Sequence, residues 1–267
     1  MNTNRNWNTL SFEVKDHLGV ITINRPTKLN ALNIELLSEL KELLLEIKKD
    51  EVFSLKGILL TGAGEKAFIA GADIAEMSDM TPSDAYTFGQ LGQQVTILFE
   101  TLQIPVIACV NGFALGGGCE IAMSCDFIYS TTNAIFGQPE VKLGLIPGFG
   151  GTQRLAKLVG RNRAKEIIYT GRNVSSAEAL SMGLVLKSFA TKDQMLEEAM
   201  KTLTSITLNS AFAVSIAKKV MNEGIDLTIV EGLQLEKRQF SSIFSSEDMR
   251  EGTKAFVEKR APIFKGK

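Results

Sequence analysis

The chain has a single histidine, three cysteines and almost no charge imbalance across its 267 residues. Each scarcity closes off a chemistry. His17 stands beside Leu18-Gly19 in a turn pattern, so sites built on several histidines, including most catalytic zinc centres, are excluded, and a Ser-His-Asp triad would have to form on that turn. We read His17 as structural and expect no metal site. General acid and base work then falls to carboxylates, lysines or tyrosines. Cys109, Cys119 and Cys125 are odd in number and crowd into one apolar stretch, the pattern of reduced, buried thiols and not of a disulfide framework.

Lysine and arginine number 29 against 30 aspartates and glutamates, a formal charge of -1, so no global field recruits nucleic acid or an anionic membrane. Neither is expected as a partner. Long apolar runs are also missing: each is soon broken by a charge, a glycine or a proline, and MNTNRNWNTL holds no apolar core of signal-peptide length. A cytoplasmic enzyme is the expectation. No phosphate-loop signature occurs, and GAGEKA, residues 62–67, fits the dinucleotide fingerprint only in letters. Gly71 soon interrupts any helix there, and no acidic residue closes a second strand at the required distance.

With 45% hydrophobic residues, the chain can bury a full core. Residues 11–16 and 19–24 read as a strand pair, and Asn33 caps a helix reaching about Asp50 with one apolar face. Residues 56–61 form a buried strand; TGAGEKAFIAGADIAEM is a loop rich in glycine and alanine with a short helical stretch; residues 83–102 form a helix. A second strand, 105–110, passes through Asn111-Gly112 into LGGGCEIAMSCD, where three glycines precede a helix. The layout recurs in 126–130, 134–137 and a helix from Gly151-Thr152. Such recurrence predicts an α/β chain of stacked ββα or βα turns.

After residues 184–189 the pattern is helical: 192–206, 210–222, 225–245 and 247–259. A soft boundary near residue 200 separates a 1–200 core from a 201–267 helical part. Phe240, Phe244, Phe256 and Phe264 give that part more aromatic surface than a short tail buries alone, so it is expected to dock on the core or on a neighbouring subunit.

Two carboxylates stand in glycine-rich frames, Glu120 in GFALGGGCE and Glu140 in FGQPEVKLG. Helix starts leave amide donors unpaired, and residues without a Cβ let a ligand oxygen come close, so Gly116 to Gly118 suit an oxyanion hole as well as a tight turn. Ala70-Gly71-Ala72-Asp73 supplies a second small-residue loop, with Asp73 as a helix cap. Two carboxylates that share one water cannot both ionise freely, so one keeps a proton and the other stays charged.

Taken together, INRPTKLNALN, TGAGEKAFIAGADIAEM, PVIACVNGFALGGGCEIAMSCD, FGQPEVKLGLIPGFGGTQRL and AFVEKRAPIFK resemble the crotonase family, and within it the short-chain enoyl-CoA hydratases. The likeness covers nearly the whole chain. It implies an α/β spiral of repeated ββα units with a helical carboxy-terminal region that assembles homotrimers, usually paired into homohexamers. It implies an acyl-CoA thioester as substrate, with no cofactor beyond the coenzyme A that the substrate carries. On matching positions, the amides of Ala72 and Gly117 hold the thioester oxygen. Glu120 activates water for addition at C3, and Glu140 exchanges a proton at C2. Coenzyme A is expected along Thr27, Lys28, Leu29, Lys66, Ala70, Asp73 and Ile74, with Lys265 reaching a phosphate. The chain departs from the family's pattern at Ala75, where many relatives carry lysine, and at Lys28, one place later than a frequent lysine. The expected reaction is reversible syn hydration of a short-chain trans-2-enoyl-CoA. Its rivals are a double-bond isomerase, which in this family generally needs only one of the two carboxylates, or an acyl-CoA hydrolase. A different class is a non-catalytic RNA-binding or scaffold protein.

Overall fold

In the computed structural model, which describes residues 6–267, the chain opens on an antiparallel hairpin. Residues 1–5, the first half of MNTNRNWNTL, lie outside the described residues. Strands β1 (Leu10–Lys15) and β2 (Leu18–Ile23) pair across Asp16-His17, both in the left-handed region. His17 Nδ1 lies 3.0 Å from Ser54 O, tying the turn to the next loop. Asn33 Oδ1 then accepts from Leu36 N at 3.0 Å and caps α1 (Ile34–Lys48). That helix buries Leu36, Leu37, Leu40, Leu43, Leu44 and Ile47, the apolar stripe its spacing predicts.

Three similar turns follow. The first is β3 (Gly57–Gly62), β4 (Ala67–Ile69), α2 (Ile74–Met77) and α3 (Pro82–Thr101); the second is β5 (Val106–Val110), β6 (Phe113–Leu115) and α4 (Gly117–Met123). The third is β7 (Phe127–Thr131), β8 (Ile135–Gly137), a 3₁₀ turn over Pro139–Leu143, α5 (Gly151–Val159) and α6 (Arg161–Thr170). Then come β9 (Asn173–Ser175), α7 (Ser176–Ser181) and β10 (Lys187–Phe189). Each turn lays its first strand in one sheet, ordered β1-β2-β3-β5-β7-β10, and its second in another, ordered β4-β6-β8-β9. Because β3, β5 and β7 are parallel neighbours, as are β4, β6 and β8, the chain advances one strand per turn in both sheets. This is a spiral of ββα units, which decides between the two repeats that periodicity left open.

GAGEKA is a strand-to-strand turn between β3 and β4. The carbonyls of Gly62, Ala63 and Gly64 accept from Lys192, Asn30 and Asn111, and no helix start follows the turn to offer a phosphate its amides. The three glycines do not all precede α4: Gly116 is its cap, and Gly117 and Gly118 lie in its first turn.

Helix α8 (Lys192–Thr207) packs Met195, Ala199 and Leu203 against Leu59, Ile107 and Tyr129 of the larger sheet. Residue 200 therefore falls inside an element of the core, and the outlying helices begin after it: α9 (Ala211–Gly224), α10 (Ile229–Ile243) and α11 (Glu247–Glu258). The helix expected over 225–245 starts later, because Thr228 and Glu231 form a capping box after the chain has turned at Gly224. Buried Lys218 docks α9 by donating to Asp126 Oδ2 at 2.8 Å and to Ile104 O at 3.0 Å. No helix among the described residues is long and apolar enough to cross a membrane.

Candidate active site

Parallel strands end on the same side, so the loops leaving β4, β6 and β8 lie next to one another at one rim of the smaller sheet. Ala72 lies in the first of these, Glu120 in the first turn of α4 after the second and Glu140 in the 3₁₀ turn after the third, and all three line one cleft of about 390 Å³.

Ala72 forms a parallel bridge with Leu32 that uses its neighbours: Leu32 N donates to Gly71 O at 2.8 Å, and Asp73 N donates to Leu32 O at 2.7 Å. The N–H of Ala72 itself is therefore turned away from Leu32. Gly117 is the first residue of α4, so its N–H has no acceptor within the helix. Both residues border the cleft. Gly116, at φ 49°, takes a positive-φ conformation that suits glycine, and a Cβ there would lie 2.8 Å from Glu140 Oε1. Glycine is thus what lets Glu140 approach the turn after β6.

Glu120 is almost fully buried. Its Oε1 accepts from Phe149 N at 2.8 Å and Gly151 N at 2.6 Å, which leaves the other oxygen for a ligand. Burial raises its pKa, while these amides and the charge of Arg154 oppose the rise. Glu140, in the turn after β8, has its Oε2 buried without a hydrogen-bond partner among the described residues. Burial, with a smaller contribution from the Glu120 charge, pushes its carboxyl up to about 7. Burial thus raises both carboxyls: the rise is opposed at Glu120 by amide donors and by Arg154, while Glu140 holds its proton near neutrality. Neighbouring Cys119 is no nucleophile, since burial pushes its thiol up to about 12. Cys109 and Cys125 are also free thiols.

Beyond the carboxylates the cleft turns apolar, with Met77, Phe88, Leu145 and Ile146 on its walls. Where the chain leaves β4, Ala70 N donates to Leu29 O at 3.1 Å, and Asn30 Nδ2 donates to Ala67 O at 2.9 Å. These bonds bring exposed Thr27, Lys28 and Leu29 beside Lys66 and Ala70. Ile74 lines the cleft directly. Asp73 makes no side-chain cap for α2; its carboxylate instead meets Arg25 at 3.2 Å. Lys265 is not brought to this rim within the chain. It pairs with Glu247 at 3.3 Å, beside a tail whose Gly266 packs on Phe53, ahead of β3 and so at the other end of the larger sheet.

Reasoning from sequence missed Phe149 and Gly151 as the donors that hold Glu120, though the glycines of PGFGGTQRL were a signal that backbone there approaches something closely. Among the described residues, no group of three or more histidine, cysteine, aspartate or glutamate side chains is placed to hold a metal ion.

The family model described as enoyl-CoA hydratase/isomerase matches residues 13–267. The chain belongs to the enoyl-CoA hydratase/isomerase family. Among its members, the short-chain-enoyl-CoA hydratase of Clostridium acetobutylicum is 46% identical over 253 residues, covering 95% of this chain and 96% of that one. The crotonyl-CoA hydratase of Syntrophomonas wolfei is 43% identical, covering 97% and 98%. The crystal structure of an enoyl-CoA hydratase from Bacillus anthracis matches with a TM-score of 0.93 at 39% identity, over 97% of this chain and 100% of that one. The family's spiral fold, α/β with a helical carboxy-terminal region, is the fold described above.

Proposed function

We propose that the chain is an enoyl-CoA hydratase that adds water reversibly to a short-chain trans-2-enoyl-CoA, giving the 3-hydroxyacyl-CoA. One observation carries the reading: two carboxylates, Glu120 and Glu140, and two small-residue turns at Ala72 and Gly117 border the same cleft. Water sits between the glutamates. As its oxygen bonds to C3, ionised Glu120 takes a proton from it, and electrons shift from the C2–C3 double bond toward the thioester carbonyl. The growing negative charge on that oxygen meets the N–H groups of Ala72 and Gly117, donors that matter more in the transition state than in the ground state. Glu140 then delivers its proton to C2 from the same side. The proton gained by Glu120 and the one lost by Glu140 re-equilibrate through the next water.

These groups supply every proton transfer, so the reaction as proposed calls on no metal or redox cofactor. The cluster of Thr27, Lys28, Leu29, Lys66 and Ala70 supports a seat for coenzyme A along that rim. Exposed apolar residues on the outlying helices, among them Ile229, Val230, Phe240, Phe256 and Val257, support a homotrimer or homohexamer. The named relatives support a cytoplasmic setting.

An isomerase needs only one of the carboxylates, so retention of both favours hydration. Incubation with crotonyl-CoA separates the readings: hydration removes the conjugated-thioester absorbance and yields a product heavier by one water. A product of unchanged mass, or free coenzyme A, would place the chain with the isomerases or hydrolases instead.

A further inference from the structure

The loop that holds Glu120 is itself held from behind. Phe149 N and Gly151 N donate to Glu120 Oε1, and the peptide between them turns its carbonyl the other way. That carbonyl, Phe149 O, accepts from Arg154 NH1 at 2.8 Å and from the buried Thr96 Oγ1 at 3.2 Å. Arg154 is not free to choose another position. Its Nε and NH2 meet Glu100 Oε1 and Oε2 at 2.7 and 2.8 Å, a two-pronged grip between α5 and α3. Gly150, at φ 110°, completes the arrangement, because a Cβ there would collide with the Arg154 guanidinium. Gln93 Nε2 fixes the start of the loop through Gly148 O at 2.9 Å.

We propose that Arg154, clamped by Glu100, is a positioning residue for the hydration reaction: it locks the 148–151 loop so that two amides stay aimed at Glu120 and hold its carboxylate in place beside the water. This rests on the hydratase reading above. Arg154 touches neither the water nor the thioester, since it lies on the far side of Phe149 from the cleft, and it acts through the loop and through its charge. Facing Glu120 are Arg154 from α5 with Glu100 of α3 behind it, Glu140 from the turn after β8, and Cys119 from α4 itself. Arg154 is the only cation of that set, so its loss leaves Glu120 among acidic groups, and its pKa rises.

The test compares wild type, Arg154→Met and Arg154→Lys on crotonyl-CoA across pH, with binding of butyryl-CoA, which has no double bond to hydrate, as the measure of an intact cleft. The expected result for Arg154→Met is a kcat lower by roughly 10- to 100-fold, from a loop shift of an ångström or less, with KM and butyryl-CoA affinity within about threefold of wild type. The acidic limb of its kcat profile moves to higher pH. Arg154→Lys keeps the charge and loses the fork, so its kcat falls while its acidic limb stays near that of wild type. If Arg154→Met does not fold, the lysine variant decides: a kcat within twofold of wild type overturns the proposal. An Arg154→Met enzyme with an unmoved acidic limb, or with a raised KM and unchanged kcat, also overturns it. Wild-type protein that fails to hydrate crotonyl-CoA sinks the hydratase reading itself, before any variant is compared.

Discussion

The carboxyl of Glu140 works against the fold that holds it. Its folded value of about 7 lies above the ordinary 4.5, so its contribution to stability is complete below 4.5 and is lost as the pH rises through 7. A shift of that size is worth roughly 3 kcal/mol at most. Glu140→Gln and wild type should therefore melt nearly together at about pH 4.5, and the variant should melt several degrees higher at about pH 8. Equal melting temperatures at the higher pH would show that Glu140 is not held in a desolvated site. Gly116→Ala makes a complementary prediction, since it forces a side chain into a left-handed position and against Glu140 Oε1. It should lower kcat by roughly tenfold or more through displacement of that carboxylate, as steady-state kinetics would reveal; unchanged kinetics would place Glu140 elsewhere. At this scale much was legible. Both glutamates stood out because glycine framed them, whereas Phe149 and Gly151 did not, because an amide that grips a residue some thirty positions away leaves no mark of its own in sequence.

Elements were legible in proportion to their length. Helix α1 carries its cap and its apolar stripe in plain order, and the hairpin alternates as a strand pair should. Strands β4, β6 and β9 span three residues each, too few to set a period, so a loop reading of AFI was all that composition offered. Yet the second sheet they build is what sets the segments carrying Ala72, Glu120 and Glu140 side by side. The seam between core and outlying helices was similarly hidden, because α8 and α9 are both amphipathic and only one of them packs on the sheet. Lys218 marks where α9 is fastened. Replacing it with Met strips the cation from Asp126, which is mostly buried and also accepts from Val106 N at 2.7 Å. The expected loss is about 3–5 kcal/mol, read by urea denaturation, and Asp126→Asn in the same chain should recover part of it. A loss below about 1 kcal/mol would make the pair a surface contact in energetic terms.

For the molecule as a whole, the helices and tail beyond residue 210 leave Phe240, Phe256, Val257 and Ile263 more than half exposed, which is more apolar surface than a solitary chain of this kind carries comfortably. Sedimentation should give a mass that is a multiple of 29.1 kDa, threefold or sixfold. A monomer at micromolar concentration would contradict the assembly. Sequence alone could name this region as a docking surface but not its partner, because an apolar face looks the same whether it meets its own core or a second copy. The central claim is that two carboxylates divide one water between them, and the most direct measurement follows hydration of crotonyl-CoA by wild type, Glu120→Gln and Glu140→Gln while butyryl-CoA binding is titrated alongside. The account predicts rapid hydration by wild type and a fall of roughly 10²- to 10⁴-fold in each variant, with butyryl-CoA still bound by all three. Either variant turning over at the wild-type rate would contradict it.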